Sequence, residues 1–234
     1  DLRVTGEEED VTVSAAVTTA SDTIAIDSQD DVVLNAPLTV TDGTEAISVS
    51  AAGDIMAQSD ITTVAGIVNL TAGMAITDTT SGGTDISANV LNILGAMSVG
   101  SDADGDATTT DNGWLDTDVT TLNVSNVTGS TFVDEETDIV LGSVDLDLTT
   151  DEHFAVHASD IYVGDVDATD GMVTLVAADS INDAENDDAI DITARLVNLD
   201  AMYGIGNDDA LELSAQLISA DTDDGDIDID NVSD

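Results

Sequence analysis

A nine-residue unit recurs along this chain, and its recurrence restricts the folds that the chain can adopt. Each copy has an apolar–polar–apolar triplet, a small residue two positions later and an apolar residue at the ninth position. Five copies occupy residues 47–55, 68–76, 91–99, 173–181 and 197–205. Repetition with a period of about 20 to 50 residues is typical of solenoids, in which each repeat forms one turn of a stack.

The spacing of the triplets predicts the kind of turn. Ten triplet centres fit the pattern, and the nine steps from position 12 to position 219 average 23 residues. The centres are Thr12, Val33, Ser48, Asn69, Asn92, Asn123, Asp145, Thr174, Asn198 and Ser219, of which Val33 and Asp145 fit least well. A turn of this length is too short for paired helices, and alternating triplets are typical of strands. The sequence therefore predicts an all-β fold, a right-handed parallel β-helix (β-solenoid) of about ten coils, as one segment over residues 1–234.

The composition favours a narrow core and excludes several partners. Hydrophobic residues make up 42% of the chain but aromatic residues only 2%, so thin aliphatic layers must fill the interior. Fifty acidic residues against two basic ones give a formal charge of −48, which repels nucleic acids and anionic membranes. There is no cysteine for disulfides, and no apolar run approaches the ~18 residues that indicate a membrane span. The charge favours a saline or calcium-rich extracellular medium, with a halophilic cytoplasm as the competing explanation.

Three local features follow from the coil interpretation. The small residue after each triplet would fit inside a corner, where little room remains for a side chain. The polar triplet centres would stack into a file that either hydrogen-bonds along the axis or forms a solvated strand face. Two long intervals predict loop insertions near residues 101–113 and 149–170, and the single proline, Pro37, predicts a turn or an irregular strand.

The two ends of the sequence both show strand-like alternation, at residues 11–13 and 226–230. Solenoid ends normally carry a polar cap that prevents further pairing. We therefore expect an interior segment of a longer chain, or a subunit that associates end to end with copies of itself into a fibre.

The repeats at residues 68–76, 89–99 and 195–205 resemble those of filamentous-haemagglutinin-type exoproteins, the large bacterial secreted and surface adhesins. The segments at 189–194 and 210–215 share that style. The resemblance covers most of the chain and implies a right-handed parallel β-helix, export from the cell and an extended shape for adhesion or fibre formation. The chain departs from that family in its acidity and in lacking the family's N-terminal secretion domain.

Clustered aspartates in loops predict calcium as the candidate cofactor, because calcium prefers oxygen ligands from flexible, glycine-containing loops. The first candidate site consists of Asp102, Asp104 and Asp106 around Gly105, and it departs from the EF-hand pattern after its first positions. A second consists of Asp221, Asp223 and Asp226, and a third of Asp165, Asp167 and Asp170. In so acidic a chain such clusters also arise by chance.

Four other residues invite a functional interpretation beside a structural one. His153 and His157 alternate with apolar residues, which favours one face of a strand over a zinc site. Trp114 could stack on a sugar or cover the edge of the core, and the second interpretation is favoured. Arg195 lies in a strand without an adjacent acidic cluster, so it does not indicate a catalytic base.

The sequence thus predicts a structural or adhesive extracellular protein, a stiff acidic rod at the cell surface that contacts a glycan or a protein receptor. Two alternatives remain open at this point. A polysaccharide-active β-helix enzyme would use some of the many carboxylate pairs, and a surface-layer or matrix protein would use them to gather calcium.

Overall fold

A computed structural model of the chain describes residues 2–6, 9–79, 83–103, 105, 107–108, 113–207 and 209–232. In this part of the chain the regular secondary structure consists entirely of β-strands, and every strand pairing is parallel. The strands stack as a β-solenoid of about ten turns, spaced about 22 residues apart, which confirms the predicted fold class. The right-handed winding stays a prediction.

The strands, in chain order, are β1 (Leu2–Gly6), β2 (Val11–Val13), β3 (Val17–Thr19), β4 (Ile24–Ser28), β5 (Val32–Leu34), β6 (Leu38–Val40), β7 (Ile47–Ala51), β8 (Ile55–Ala57), β9 (Ile61–Thr63), β10 (Ile67–Ala72), β11 (Ala75–Asp78), β12 (Ile86–Ile93), β13 (Ser98–Val99), β14 (Leu115–Val127), β15 (Thr131–Glu135), β16 (Ile139–Leu146), β17 (His153–Ala158), β18 (Ile161–Ala177), β19 (Ser180–Asp183), β20 (Ile192–Ala201), β21 (Gly204–Ile205), β22 (Leu211–Thr222) and β23 (Ile229–Asn231).

Three short strands form each of the first turns, so the solenoid begins with three faces. The first face stacks β1, β4, β7 and β10; the second stacks β2, β5, β8 and β11; the third stacks β3, β6, β9 and the start of β12. From β12 onward, the third strand of one turn runs directly into the first strand of the next. The later strands are longer for this reason, and β18 spans 17 residues.

The register can be followed from one end of the rod to the other. One equivalent position on the first face forms a column of residues paired turn by turn, and its interior members are buried. The column consists of Val4, Ile26, Val49, Leu70, Ile93, Val124, Val144, Val166, Ile192, Leu213 and Asn231. Ten steps at the ~4.8 Å spacing of neighbouring strands correspond to a rod about 48 Å long.

The triplet centres do not form the single file that a fixed step would require. Val33 pairs with Met56 on the second face, whereas Ser48 belongs to the first face. Asp145 pairs with Ser125 and lies outside the column of asparagines. The second face also contains the centres Thr12, Thr174, Asn198 and Ser219. An alternating triplet looks the same in sequence on either face, so the spacing could not separate the two files. Asp145 instead follows a register shift within the first face.

A side-chain ladder nevertheless joins four successive turns on the first face. Asn69 Nδ2 donates to Ser48 Oγ at 3.3 Å, Asn92 Nδ2 donates to Asn69 Oδ1 at 2.8 Å, and Asn123 Nδ2 donates to Asn92 Oδ1 at 2.9 Å. The ladder continues when the backbone N–H of Ser143 donates to Asn123 Oδ1 at 3.0 Å. Of the two interpretations of this file, the hydrogen-bonded ladder is therefore correct on this face.

Aspartates form a second ladder at a corner, just before the strands of the second face. The N–H of Asp31 donates to Asp10 Oδ1 at 3.4 Å, and that of Asp54 donates to Asp31 Oδ1 at 2.8 Å. The N–H of Ala75 donates to Asp54 Oδ1, also at 2.8 Å. Some of the aspartates thus stabilise the corners, where the short carboxylate side chain accepts a hydrogen bond from a backbone N–H of the next turn.

The small residues after the triplets are buried at most positions. Ala51, Ala72, Ala177 and Ala201 are all at most 5% exposed, as the corner interpretation predicts. Gly95 differs, because a Cβ built there would meet no atom nearer than 3.7 Å. A lack of space for a side chain therefore does not explain the glycine at that corner.

The two predicted insertions have different outcomes. At the first, the ends of the predicted insertion meet, since the N–H of Ser101 donates to the carbonyl of Gly113 at 2.7 Å, and the described residues between them belong to no strand. Residues 149–170 instead consist mostly of β17 and the first part of β18, in register with their neighbours. Only residues 147–152 lie between β16 and β17. Pro37 lies in the turn between β5 and β6.

Candidate functional site

The loop at 101–113 contains the first predicted calcium site. Asp102 is half-buried, and its Oδ1 accepts a hydrogen bond from the N–H of Gly105 at 2.9 Å. Asp104 and Asp106 lie outside the described residues. The structure therefore places one of the three predicted ligands, and calcium binding at this loop stays a prediction.

The second and third predicted calcium sites lie on the surface. Asp221 is the penultimate residue of β22, Asp223 and Asp226 follow that strand, and all three side chains are exposed. The side chains of Asp165, Asp167 and Asp170, which lie along β18, are exposed as well. Neither set belongs to the groups of described acidic residues whose carboxylate oxygens lie within 4.8 Å of one another.

Trp114 lies beneath the 101–113 loop in a small second core on the outside of the solenoid. It is 0% exposed and packs with Ala107, Phe132 and Ala155. Its ring centroid lies 5.3 Å from that of Phe132 and 4.6 Å from that of His157. A sugar cannot stack on a ring that the protein already encloses, so the structural interpretation of Trp114 holds.

The two histidines share the outward face of β17, as the alternation predicted. His157 packs on Trp114, and its Nε2 lies 3.4 Å from the carbonyl oxygen of Ala107. The ring of His153 stacks on Phe132 at 6.4 Å. Burial lowers the pKa of His153, although the nearby carboxylate of Asp102 opposes that shift. The histidines thus help to seat the loop on the solenoid.

Arg195 has a structural contact on the neighbouring turns. Its Nη2 donates to the backbone carbonyl of Thr150 at 2.6 Å, within the short segment that precedes β17. This contact ties the segment to β20, and it gives the side chain a role that the sequence did not indicate.

Among the described residues, three groups of acids bring one oxygen each within 4.8 Å of the others. The first group, Asp10, Asp30 and Asp31, is largely exposed and overlaps the corner ladder. The other two groups are mainly buried. A charged carboxylate costs more free energy there than on the surface, because burial removes it from water.

The second group lies where β11 and the start of β14 approach each other. Asp78 and Asp85 are 7% and 2% exposed, and Asp116 is half-buried. Burial, reinforced by the carboxylates of Asp134 and Asp78, raises the pKa of Asp116 to about 6. Burial also raises the pKa of Asp134, which is its partner in the parallel register.

The third group is the most deeply buried. Asp183, Asp191 and Glu212 are 4%, 4% and 7% exposed. Burial above all raises the pKa of Asp191 to about 8; the charges of Asp183 and Glu212 act in the same direction, and the hydrogen bond from the Glu212 N–H opposes them. Burial raises the pKa of Glu212 as well. We refer to these three residues as the buried carboxylate triad.

Sequence reasoning missed the triad because Asp183 and Asp191 stand at the two ends of an acidic stretch that was not singled out, and Glu212 lies 21 residues beyond Asp191. Asp191 and Glu212 are the central residues of the apolar–polar–apolar triplets 190–192 and 211–213. Alternation predicts that such a central side chain faces solvent. Their equivalent positions in consecutive repeats could have revealed that Asp191 and Glu212 are neighbours, since Ile192 and Leu213 pair one turn apart.

An open groove crosses the outer face near the aromatic cluster. Its lining includes Asp134, Glu135, Glu136 and His157. Glu135 is only 3% exposed, and its carboxylate accepts hydrogen bonds from the N–H of Val119 and from both the N–H and the hydroxyl of Thr137. Burial raises the pKa of Glu135 against these hydrogen bonds. Glu135 therefore connects β14, β15 and the turn that follows β15.

Comparison with family models, with curated proteins and with solved structures gave no match to this chain. The described residues include no helix of the length and apolar character that a membrane crossing needs. The architecture agrees with a β-helix repeat protein, and the likeness to filamentous-haemagglutinin-type repeats stands on pattern and architecture alone.

Proposed function

We propose that this chain is a rod-forming segment of an extracellular structural or adhesive protein, built in the manner of filamentous-haemagglutinin-type exoproteins. The observation that carries the proposal is the turn-by-turn pairing of the first face from Val4 to Asn231, which continues through register shifts in the β14–β16 and β18–β20 pairings. Turns paired in this way cannot slide or bend independently, so the segment acts as a stiff spacer. Such a spacer holds a binding region away from the surface that bears it.

The charge supports a place outside the cell and a role for ions. At −48, the rod repels other copies sideways and nucleic acids altogether, and salt stabilises the folded chain by screening the repulsion among its own carboxylates. Among the described residues β1 pairs only with β4 and β23 only with β22, so self-association into a fibre through backbone pairing would run end to end. The exposed loops supply contacts to a glycan or a protein receptor.

Antibodies raised against the purified chain test this proposal on intact cells of the source organism. We expect immunogold label on extracellular filaments or on the outer surface before the cells are permeabilised. Label that appears only after permeabilisation would contradict the extracellular role. Beads coated with the chain should also bind host surfaces more than beads coated with an acidic protein of equal charge.

A calcium-gathering surface-layer protein is the second candidate, and the grouped carboxylates favour it. The polysaccharide-active enzyme has less support, because the two mainly buried acidic groups include carboxylates that are at least nine-tenths buried. A polymeric substrate would not reach them. Sheet formation that depends on calcium would favour the surface-layer candidate over the adhesive rod.

A further inference from the structure

The buried carboxylate triad is assembled from two successive turns of the solenoid. Asp183 ends β19, Asp191 immediately precedes β20, and Glu212 lies in β22 one turn further on. Two hydrogen bonds connect Asp191 and Glu212: the Asp191 N–H donates to the Glu212 backbone carbonyl at 2.9 Å, and the Glu212 N–H donates to the side-chain Oδ2 of Asp191 at 2.8 Å. The pairing of Ile192 with Leu213 thus places Asp191 beside Glu212.

The hydrogen bonds at the triad leave a gap at one oxygen. Asp183 accepts from the N–H of Glu185 at 2.7 Å and from that of Asp187 at 2.9 Å, one bond at each of its oxygens. Glu212 Oε2, in contrast, is buried without a hydrogen-bond partner among the described residues. A buried carboxylate oxygen without a donor is costly, so this atom indicates a missing partner.

Neither arginine of the chain pairs with the triad to balance its charge. The only two basic residues of the chain are arginines. Arg3 pairs with Asp27 at 3.6 Å, and Arg195 donates to the Thr150 carbonyl. Three carboxylates that are removed from water need protons or a cation to offset their repulsion.

We propose that Asp183, Asp191 and Glu212 bind a calcium ion that joins two successive turns of the rod. The donors are all carboxylate oxygens, which favours a hard cation over zinc or copper. The three side chains come from a strand end, a loop end and a strand. Calcium accepts such uneven geometry, whereas magnesium demands a near-regular octahedron. Glu212 Oε2 would gain its missing partner, and the ion would fix residues 184–190 against the stack. This inference depends on the fold and stands apart from the proposed adhesive role.

Calorimetry with calcium chloride tests the site in the whole chain, after treatment with a chelator and in about 0.15 M sodium chloride to screen the surface charge. We expect a saturable isotherm for the wild-type chain. Glu212→Gln should weaken it at least about tenfold, because a carboxylate ligand is lost. The matched control is Glu9→Gln, which removes the same charge from an exposed position and should leave the isotherm unchanged. Magnesium chloride should compete poorly.

Thermal unfolding separates calcium binding from a proton shared within the triad. Without calcium, Glu212→Gln should be at least as stable as wild type, since it removes a repelling charge. With calcium, only wild type and Glu9→Gln should gain stability. Equal calcium responses in wild type and Glu212→Gln, or no response in either, would overturn the proposal and leave a proton-sharing triad.

Hydrogen exchange provides a readout that needs no variant, should Glu212→Gln fail to fold. Calcium should slow exchange of the backbone N–H groups of Glu185, Asp187 and Glu212 in the wild-type chain. Those of the Asp31 and Asp54 ladder should change less, because that corner is largely exposed. Uniform slowing along the whole rod, or none, would contradict a localised site.

Discussion

The side-chain amide of Asn92 donates to Asn69 Oδ1 at 2.8 Å, and its own Oδ1 accepts from Asn123 at 2.9 Å. Replacing Asn92 with Ala therefore breaks two bonds at the centre of the ladder and leaves a donor and an acceptor without partners. We expect a loss of about 1 to 2 kcal/mol in the free energy of unfolding, measured with urea. Ser48→Ala, at the end of the ladder with a 3.3 Å bond, should cost less. Equal losses in the two variants would contradict a cooperative ladder.

The corner at Gly73 allows a matched test of close backbone packing. A Cβ at Gly73 would lie 2.0 Å from the carbonyl oxygen of Ala52 one turn earlier, whereas a Cβ at Gly95 would meet nothing nearer than 3.7 Å. Gly73→Ala should cost about 1 to 3 kcal/mol, because backbone must move. Gly95→Ala should change the free energy of unfolding by no more than about 0.5 kcal/mol. A harmless Gly73→Ala would show that the turns are farther apart than described.

Trp114 is the only tryptophan of the chain, so its fluorescence reports directly on the second core. We expect blue-shifted emission that acrylamide quenches poorly and that added glycans do not change, because the ring is 0% exposed. Trp114→Ala should cost about 3 kcal/mol or more, mostly through loss of the loop's packing. Emission typical of solvent-exposed tryptophan would contradict this placement.

The raised pKa of Asp116 predicts a pH dependence with a defined sign. The folded-state pKa of about 6 lies above the ordinary value of 3.8, so folding favours the protonated form. The stability that this group contributes is complete below the ordinary value and is lost as the pH rises through about 6. The facing carboxylates of Asp134 and Asp78 act in the same direction.

Asp116→Asn should therefore lose less stability than wild type between about pH 4.5 and about pH 7, in chelator-treated protein followed by thermal unfolding. Asp145→Asn, at an exposed position, controls for the relief of general repulsion and should follow the wild-type slope. If Asp116→Asn and Asp145→Asn had the same slope, Asp116 would not be the titrating group.

The sequence was sufficient for the fold because a solenoid repeats its local pattern. Triplets such as residues 68–70 and 91–93 specify both a strand and its inward side chains, and the register then follows. The identity of the face could not be read in the same way, and Val33 was misplaced for that reason. The buried carboxylate triad depends on which polar positions of neighbouring turns become buried in the fold. Burial of a polar position is a property of three-dimensional packing. The sequence neighbours of Asp191 and Glu212 do not indicate it.

Distances between spin labels along the rod test the stacked register most directly, and the absence of native cysteine makes the labelling specific. Thr5 and Asp145 follow column residues six turns apart, and Asp167 is the register partner of Asp145 on the next turn. Labels at Thr5→Cys and Asp145→Cys should lie about 29 Å apart by backbone spacing, and moving the second label to Asp167→Cys should add about 5 Å. Narrow distributions with this increment would support the solenoid. An unchanged, shorter or broadly spread distance would contradict it.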